Sequence, residues 1–137
     1  MRTALCAIAI LGLSACGAPP KPAIEPGPSI PGLNLSGKWY SQEFGDMQIV
    51  QTGKNVSGKY EDPRGPDHNG TIRGSFVGDL LRIEWIKGGN PLAAILPVRG
   101  KAWLRIKNRG NKLEGRWGYD ADDTGGGVWT AEKSQYN

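Results

Sequence analysis

Short runs of alternating apolar and polar residues follow one another from Leu35 onward, and this pattern constrains the fold more than any other feature. No run repeats its apolar residues with a helical period of about 3.6, so long amphipathic helices are not expected. Gly, Asn and Asp separate the runs in connections such as TGKN, VGDL and NRGNK, which suit β-hairpins. The pattern predicts an all-β domain with eight strands, placed at Gly37 to Gln42, Asp46 to Thr52, Asn55 to Glu61, Gly70 to Val77, Asp79 to Lys87, Val98 to Lys107, Lys112 to Gly118 and Gly126 to Lys133.

Successive hairpins predict an antiparallel up-and-down (meander) β-barrel, because closure of the sheet removes its exposed edges. The apolar face of each strand is expected to point inward. Eight strands enclose room for packed side chains or for one small ligand. The predicted interior consists of Trp39, Met47, Ile49, Val56, Tyr60, Ile72, Phe76, Leu81, Ile83, Trp85, Ala102, Leu104, Ile106, Leu113, Trp117 and Trp129, with Gly58, Gly74 and Gly115 between them.

Three segments, VSGKY, IRGSF and LEGRW, repeat the order apolar, any residue, Gly, any residue, aromatic. Both ends of each segment lie on the inward face, and the glycine lies between them. A glycine at such a position lets the strand bend and leaves space for rings on neighbouring strands. Two interpretations stay open: the glycines form barrel corners packed by aromatics, or the aromatics form a cage for a ligand.

The N-terminus carries Arg2 and then an apolar run from Ala4 to Leu13, which is too short to span a bilayer. The run ends in Leu-Ser-Ala-Cys, which resembles the lipobox of bacterial lipoproteins. The resemblance implies a signal peptide over residues 1–15 and lipidation of Cys16. Because Gly17 rather than Asp follows the cysteine, it also favours the outer membrane. The alternatives are an ordinary signal peptide with a chance cysteine, or a short buried helix.

Residues 16–34 are expected to tether the domain to the membrane. Six of the ten prolines fall between Gly17 and Asn34, so neither a helix nor a sheet is expected there. An extended chain of this composition would reach roughly 55 Å at about 3.1 Å per residue. Cys6 lies in the predicted signal peptide and Cys16 would carry lipid, which leaves no thiol for a disulfide or a metal in the barrel domain, residues 35–137.

Basic residues concentrate in one part of the chain. Removing Arg2 changes the formal net charge from +4 to +3, and seven basic residues lie between Arg99 and Arg116 with Glu114 as the only acid. They suit an anionic lipid, a lipopolysaccharide phosphate or an acidic protein, or they form an ordinary solvated face. Nucleic acid is not an expected partner in the envelope. The outward-facing members are Arg99, Lys101, Arg105, Lys107, Lys112 and Arg116.

Catalytic and metal-binding patterns are not found in the sequence. His68, the only histidine, lies in the turn segment DPRGPDHNG, and no nucleophile and base pair is visible. Glu84 and Glu114 alternate to the outer face. The acidic run Asp120 to Asp123 lacks the ligand spacing of a calcium loop. We therefore expect no enzymatic activity, no cofactor and no bound metal.

The longest connection contains the segment GGNPLAAILPV, in which five apolar residues, Leu92 to Leu96, lie between two prolines. An exposed apolar loop usually covers something. The sequence allows a plug over one barrel mouth, a lid for a ligand or a contact with a partner.

The start of the barrel resembles the avidins and lipocalins, which are calycin-type barrels. Gly37-Lys38-Trp39 matches their Gly-x-Trp signature, and GKWYSQEFGDMQIV followed by GKYEDPRG is similar to the first three strands of streptavidin-type avidins. The resemblance implies ligand-binding roles for Ser41, Tyr60, Trp85, Trp117 and Trp129. Asp46 and Asp62 stand where avidins use small hydroxyl residues; as buried carboxylates they would disfavour a neutral biotin ring.

Taken together, these features predict an outer-membrane-anchored lipoprotein whose barrel is a non-enzymatic binding module. In one hypothesis an aromatic-lined lumen holds a small apolar or amphipathic ligand. In an alternative, the lumen is packed and the basic outer face docks an envelope component or a protein; a second alternative is avidin-like biotin binding. The candidate ligand-binding residues are Trp39, Ser41, Tyr60, Phe76, Trp85, Trp117 and Trp129.

Overall fold

The computed structural model describes residues 23–88 and 98–135. The predicted signal peptide, Cys16, the first part of the predicted tether and the apolar run Leu92 to Leu96 lie outside these residues. None of the described residues belongs to a helix long and apolar enough to cross a membrane.

Eight antiparallel strands form one closed barrel in sequential order, which confirms the predicted all-β up-and-down architecture. Three of the eight predicted strands have the observed bounds, and each of the others differs by one residue. Short 3-10 turns at Pro66–His68 and Asn108–Gly110 are the helical elements among the described residues. The strands are β1 Gly37–Ser41, β2 Gly45–Thr52, β3 Asn55–Glu61, β4 Gly70–Val77, β5 Leu80–Lys87, β6 Val98–Lys107, β7 Lys112–Tyr119 and β8 Gly127–Lys133.

The barrel closes between its first and last strands over a short stretch. Trp39 pairs with Lys133 and Tyr40 pairs with Glu132, whereas the β5–β6 and β6–β7 ladders each run over eight pairs. Because the barrel is closed, each strand of the described barrel pairs with a neighbour along both of its edges.

The barrel interior is the predicted one. Every predicted interior side chain is buried except Phe76 and Trp117, which are partly buried and pack against the same core. Leu35 and Phe44, which the strand alternation does not include, also belong to the core. The middle of the barrel is therefore filled by side chains.

The strand glycines allow close approach of neighbouring strands. A Cβ at Gly74 would collide with the Arg82 carbonyl oxygen, and a Cβ at Gly115 would collide with the Trp103 carbonyl oxygen. These contacts are with backbone atoms, which cannot move aside without breaking the ladder. They support the interpretation of the glycines as sites of tight barrel curvature.

Residues 24–35, which we call the strap, lie without regular secondary structure against one end of the barrel. At its start, the Arg82 guanidinium donates to the Ile24 carbonyl oxygen at 2.7 Å. The Arg105 guanidinium donates to the Glu25 carbonyl oxygen at 2.8 Å. The Gly27 amide then donates to the Asp79 carboxylate. These bonds hold the strap beside the turn between β4 and β5.

The second half of the strap closes the same end of the barrel. Leu35 is fully buried, and Ile30 and Leu33 pack against the core. The Trp39 indole N–H donates to the Leu35 carbonyl oxygen at 2.9 Å, and the Leu35 amide donates to the Gln51 side chain at 2.8 Å. The C-terminal part of the predicted tether is thus docked on the barrel rather than extended away from it.

Candidate functional site

A cavity of about 420 Å³ opens at the barrel end opposite the strap. Successive turns of an up-and-down barrel alternate between its two ends, and this mouth lies among the β1–β2, β3–β4 and β7–β8 connections and the C-terminal end of β5. Its aromatic lining consists of Phe44, Tyr60, Trp85, Trp117, Tyr119 and Trp129. Its charged lining consists of Glu43, Arg64 and Lys87.

Phe44 packs among three other rings of the cavity lining. Its ring centre lies 4.6 Å from that of Trp129, 5.7 Å from that of Trp117 and 5.8 Å from that of Tyr60. These tilted and edge-on contacts are the arrangement that aromatic rings prefer. Phe44 thus brings the β1–β2 turn into contact with rings from β3, β7 and β8.

A second aromatic group forms one wall. The ring centres of Trp85, Trp117 and Tyr119 lie 5.1 to 5.7 Å apart, with interplanar angles of 72° to 81°. Tyr119 is about half exposed, so this wall reaches the rim of the mouth. A ligand entering the cavity would therefore contact ring edges and faces on that side.

The turn between β1 and β2 fixes Phe44 in place. The Phe44 amide donates to the Ser41 hydroxyl at 3.1 Å, and that hydroxyl donates to the Glu43 carboxylate at 3.2 Å. The Glu43 carboxylate also accepts from the Thr130 amide at 3.0 Å and from the Thr130 hydroxyl at 2.9 Å. The carboxylate thus ties the turn to β8, and Ser41 positions Phe44.

The charge of Asp62 at the mouth is neutralised by an ion pair with Arg64. Its fully buried carboxylate accepts from the Arg64 side chain at 2.8 and 3.0 Å and from the Arg64 amide at 2.9 Å. The side-chain hydrogen bond with Arg64 lowers the pKa of Asp62. Asp46, the other carboxylate that departs from the avidin pattern, is exposed on the outer face.

Three groups at the cavity lack partners among the described residues. The indole N–H groups of Trp85 and Trp129 are buried without an acceptor, and the Lys87 ammonium forms neither an ion pair nor a hydrogen bond there. Burial, and then the charge of nearby Arg64, lower the pKa of Lys87. Burial also raises the pKa of Tyr60 to about 12. Each of the three unpartnered groups is a hydrogen-bond donor.

The structure brings four of the seven predicted ligand residues together at the cavity, namely Tyr60, Trp85, Trp117 and Trp129. The other three lie elsewhere. Trp39 is bonded to the strap, Phe76 is near the β4–β5 turn at the strap end, and Ser41 is bonded within its turn.

Sequence reasoning missed several lining residues. Tyr119 and Lys87 lie two residues after Trp117 and Trp85, so the same alternation could have placed them inward. Phe44 and Arg64 lie outside the strands, where no alternation applies.

Internal partners occupy much of the predicted basic surface. Arg105 pairs with Asp79, and both Lys107 and Lys112 pair with Glu114. The Arg116 guanidinium donates to the Thr124 carbonyl oxygen at 2.8 Å. Within the described chain only two members of the set, Arg99 and Lys101, are exposed and have no ion pair.

The other polar candidates belong to connections at the mouth end but do not line the cavity. His68 ends the 3-10 turn between β3 and β4. In the acidic run, Asp122 accepts from the Thr124 and Gly125 amides, and Asp123 accepts from the Thr124 hydroxyl, so both stabilise the turn before β8. No group of three or more potential metal ligands occurs within residues 23–88 and 98–135.

The closed eight-stranded antiparallel barrel with an aromatic-lined mouth is compatible with the calycin class of folds. Comparison with protein-family models, with curated proteins and with solved structures finds no match for this chain.

Proposed function

We propose that the protein is a non-enzymatic binding module that takes a small apolar or amphipathic ligand in the mouth cavity. The observation that supports this most directly is the convergence of six aromatic side chains on one cavity of about 420 Å³. Small-molecule sites are typically concave, mostly apolar and of this size, with a few polar groups that orient the ligand.

The packed interior limits where such a ligand would bind. Since buried side chains fill the middle of the barrel, the ligand would lie at the mouth and not deep in the lumen. The site thus combines the two sequence-based alternatives: a barrel packed in its middle and an aromatic cup at one end.

The proposal includes a location. The Leu-Ser-Ala-Cys segment supports lipidation of Cys16, and Gly17 supports retention in the outer membrane. On this proposal the protein is a lipid-anchored outer-membrane lipoprotein, and its membrane contact is the lipid.

Biotin is a less favoured ligand. Ser41, whose position matches a polar ligand-binding residue of avidins, already donates to Glu43 and accepts from Phe44. Buried Asp62 is paired with Arg64. A closed set of neutral hydrogen-bond partners is therefore lacking among the described residues of this mouth.

Docking of an anionic envelope component to the outer face is a second candidate function. The exposed pair Arg99 and Lys101 supports it, because these are cations on one strand face without ion pairs in the described chain. The internal pairing of Arg105, Lys107 and Lys112 weakens it, because paired cations attract less.

The cavity proposal can be tested with N-phenyl-1-naphthylamine, an uncharged aromatic probe whose fluorescence rises in apolar surroundings. We expect saturable binding to the purified protein. Tyr119→Ser should weaken it about fivefold or more, because it removes an aromatic wall of the cavity.

Tyr40→Ser is the matched control, since Tyr40 is equally exposed but lies on the outer face of β1. Equal affinity of the wild type and both variants would contradict binding at the mouth.

A further inference from the structure

The unpartnered polar groups of the mouth cavity define the chemistry of its ligand. The Trp85 and Trp129 side chains are 3% and 1% exposed, and neither indole N–H has an acceptor among the described residues. Buried donors are ordinarily bonded, because an unmade hydrogen bond leaves the cost of removing the group from water uncompensated. The two indole nitrogens have almost no accessible surface, so these donors do not face the open cavity.

The third unpartnered group is a cation. Lys87 follows Trp85 by two residues on β5, so it belongs to the inward face, and it lines the cavity at the rim. Its ammonium has no counter-ion in the described chain. Burial, and then the charge of nearby Arg64, lower the pKa of Lys87, whereas a nearby anion would favour its charged form.

The carboxylates at the mouth are already occupied. Glu43 accepts from the Thr130 amide, the Thr130 hydroxyl and the Ser41 hydroxyl. Asp62 accepts from the side chain and the amide of Arg64. Among the described residues that line the cavity, Lys87 is therefore the charged side chain without an ion pair or a hydrogen bond.

We propose that the mouth cavity selects an amphipathic anion, with a flat apolar body against the aromatic wall and a carboxylate or sulfonate that accepts from the Lys87 ammonium. This inference rests on the proposed function and adds the charge of the ligand to it. An anion satisfies donors without bringing a donor of its own, and charge-assisted hydrogen bonds are the stronger kind.

Two fluorescent probes with one ring system separate the anion preference from simple apolar binding. 1-Anilinonaphthalene-8-sulfonate carries a sulfonate, and N-phenyl-1-naphthylamine lacks it. We expect the purified protein to bind the sulfonate probe about tenfold more tightly than the neutral probe at low salt.

Lys87→Met retains the aliphatic stem and removes the charge, and Lys54→Met is its matched control. Lys54 is an exposed lysine in the β2–β3 turn at the opposite end of the barrel, and its loss changes the net charge equally. We expect Lys87→Met to weaken the sulfonate probe about tenfold and to leave the neutral probe within about twofold. Lys54→Met should change neither affinity.

The outcomes distinguish the two levels of the proposal. If both probes bind equally, or if Lys87→Met weakens both to the same extent, the anion preference is wrong and the cavity proposal stands. If neither probe binds, the proposed function fails and the preference fails with it. If Lys54→Met weakens the sulfonate probe as much as Lys87→Met does, binding reflects the overall charge of the protein and not this site.

Discussion

Two buried tryptophans differ in one respect that can be measured. Trp39 and Trp129 are 2% and 1% exposed, but only the Trp39 indole has a hydrogen bond, to the Leu35 carbonyl oxygen at 2.9 Å. Trp→Phe at either position removes the same atoms from a buried side chain. The cost of the smaller ring is therefore similar in the two variants, and their difference reports the hydrogen bond.

The expected difference in unfolding free energy depends on whether the substitution leaves a hydrogen-bond acceptor without its donor. In Trp39→Phe the Leu35 carbonyl loses its donor at a buried position, which costs about 1–3 kcal/mol. In Trp129→Phe no partner is stranded, and the loss of an unsatisfied N–H is favourable. We expect Trp39→Phe to be less stable than Trp129→Phe by about 2 kcal/mol, or about 10 °C in melting temperature. Full truncation in Trp39→Ala should cost about 3 to 5 kcal/mol.

Urea unfolding followed by far-UV circular dichroism measures the difference without relying on tryptophan fluorescence. The dependence of the unfolding free energy on urea should be the same in both variants, which shows that the same surface is exposed. Equal stabilities, or a less stable Trp129→Phe, would refute the reasoning from the strap hydrogen bond.

Four further predictions concern other parts of the molecule. Cys16→Ser should abolish metabolic labelling with a fatty acid and leave the protein unprocessed or released from the membrane; label that persists would contradict lipidation. Far-UV circular dichroism should show a β-rich protein, and a helix content above roughly a fifth would contradict the barrel, since short turns supply little helix. Ultraviolet titration should show one tyrosine ionising near pH 12, absent in Tyr60→Phe; because this pKa lies above the unfolded value of 10.0, folding stability should fall as the pH rises through this range. Calorimetric titration with biotin should show no tight binding, whereas submicromolar affinity that Tyr60→Phe or Ser41→Ala weakens would establish an avidin-like site.

The strands could be predicted closely because alternation and turn chemistry specify the same boundaries. Inward and outward faces follow from a period of two, and a closed barrel buries one face throughout. This is why Tyr60, Trp85 and Trp129 are buried as expected.

The position of a side chain along the barrel was harder to predict. Alternation distinguishes inside from outside, but it does not assign an inward residue to one end. Trp39 and Phe76 share the inward face with Trp85, yet their rings pack toward the strap end and away from the mouth. Phe44 joins the cavity lining from within a turn, where its place depends on the hydrogen bonds of Ser41 and Glu43.

Charge pairing also depends on register, which the sequence leaves open. Lys107 pairs across the sheet with Lys112, and Arg105 lies opposite Glu114. That register brings both lysines within reach of one carboxylate, so a run that appears uniformly basic in sequence is partly neutralised in three dimensions.

The strap determines the direction in which the mouth cavity opens relative to the N-terminal end of the chain. Its hydrogen bonds to Arg82, Arg105 and Gln51 attach the chain to the end of the barrel that lies farthest from the cavity. For a protein anchored at Cys16, the chain would therefore reach the barrel at this end. The closed end of the barrel would then be turned toward the lipid, and its opening would face the aqueous compartment. Such a protein would collect its ligand from solution and not from the membrane in which it is anchored.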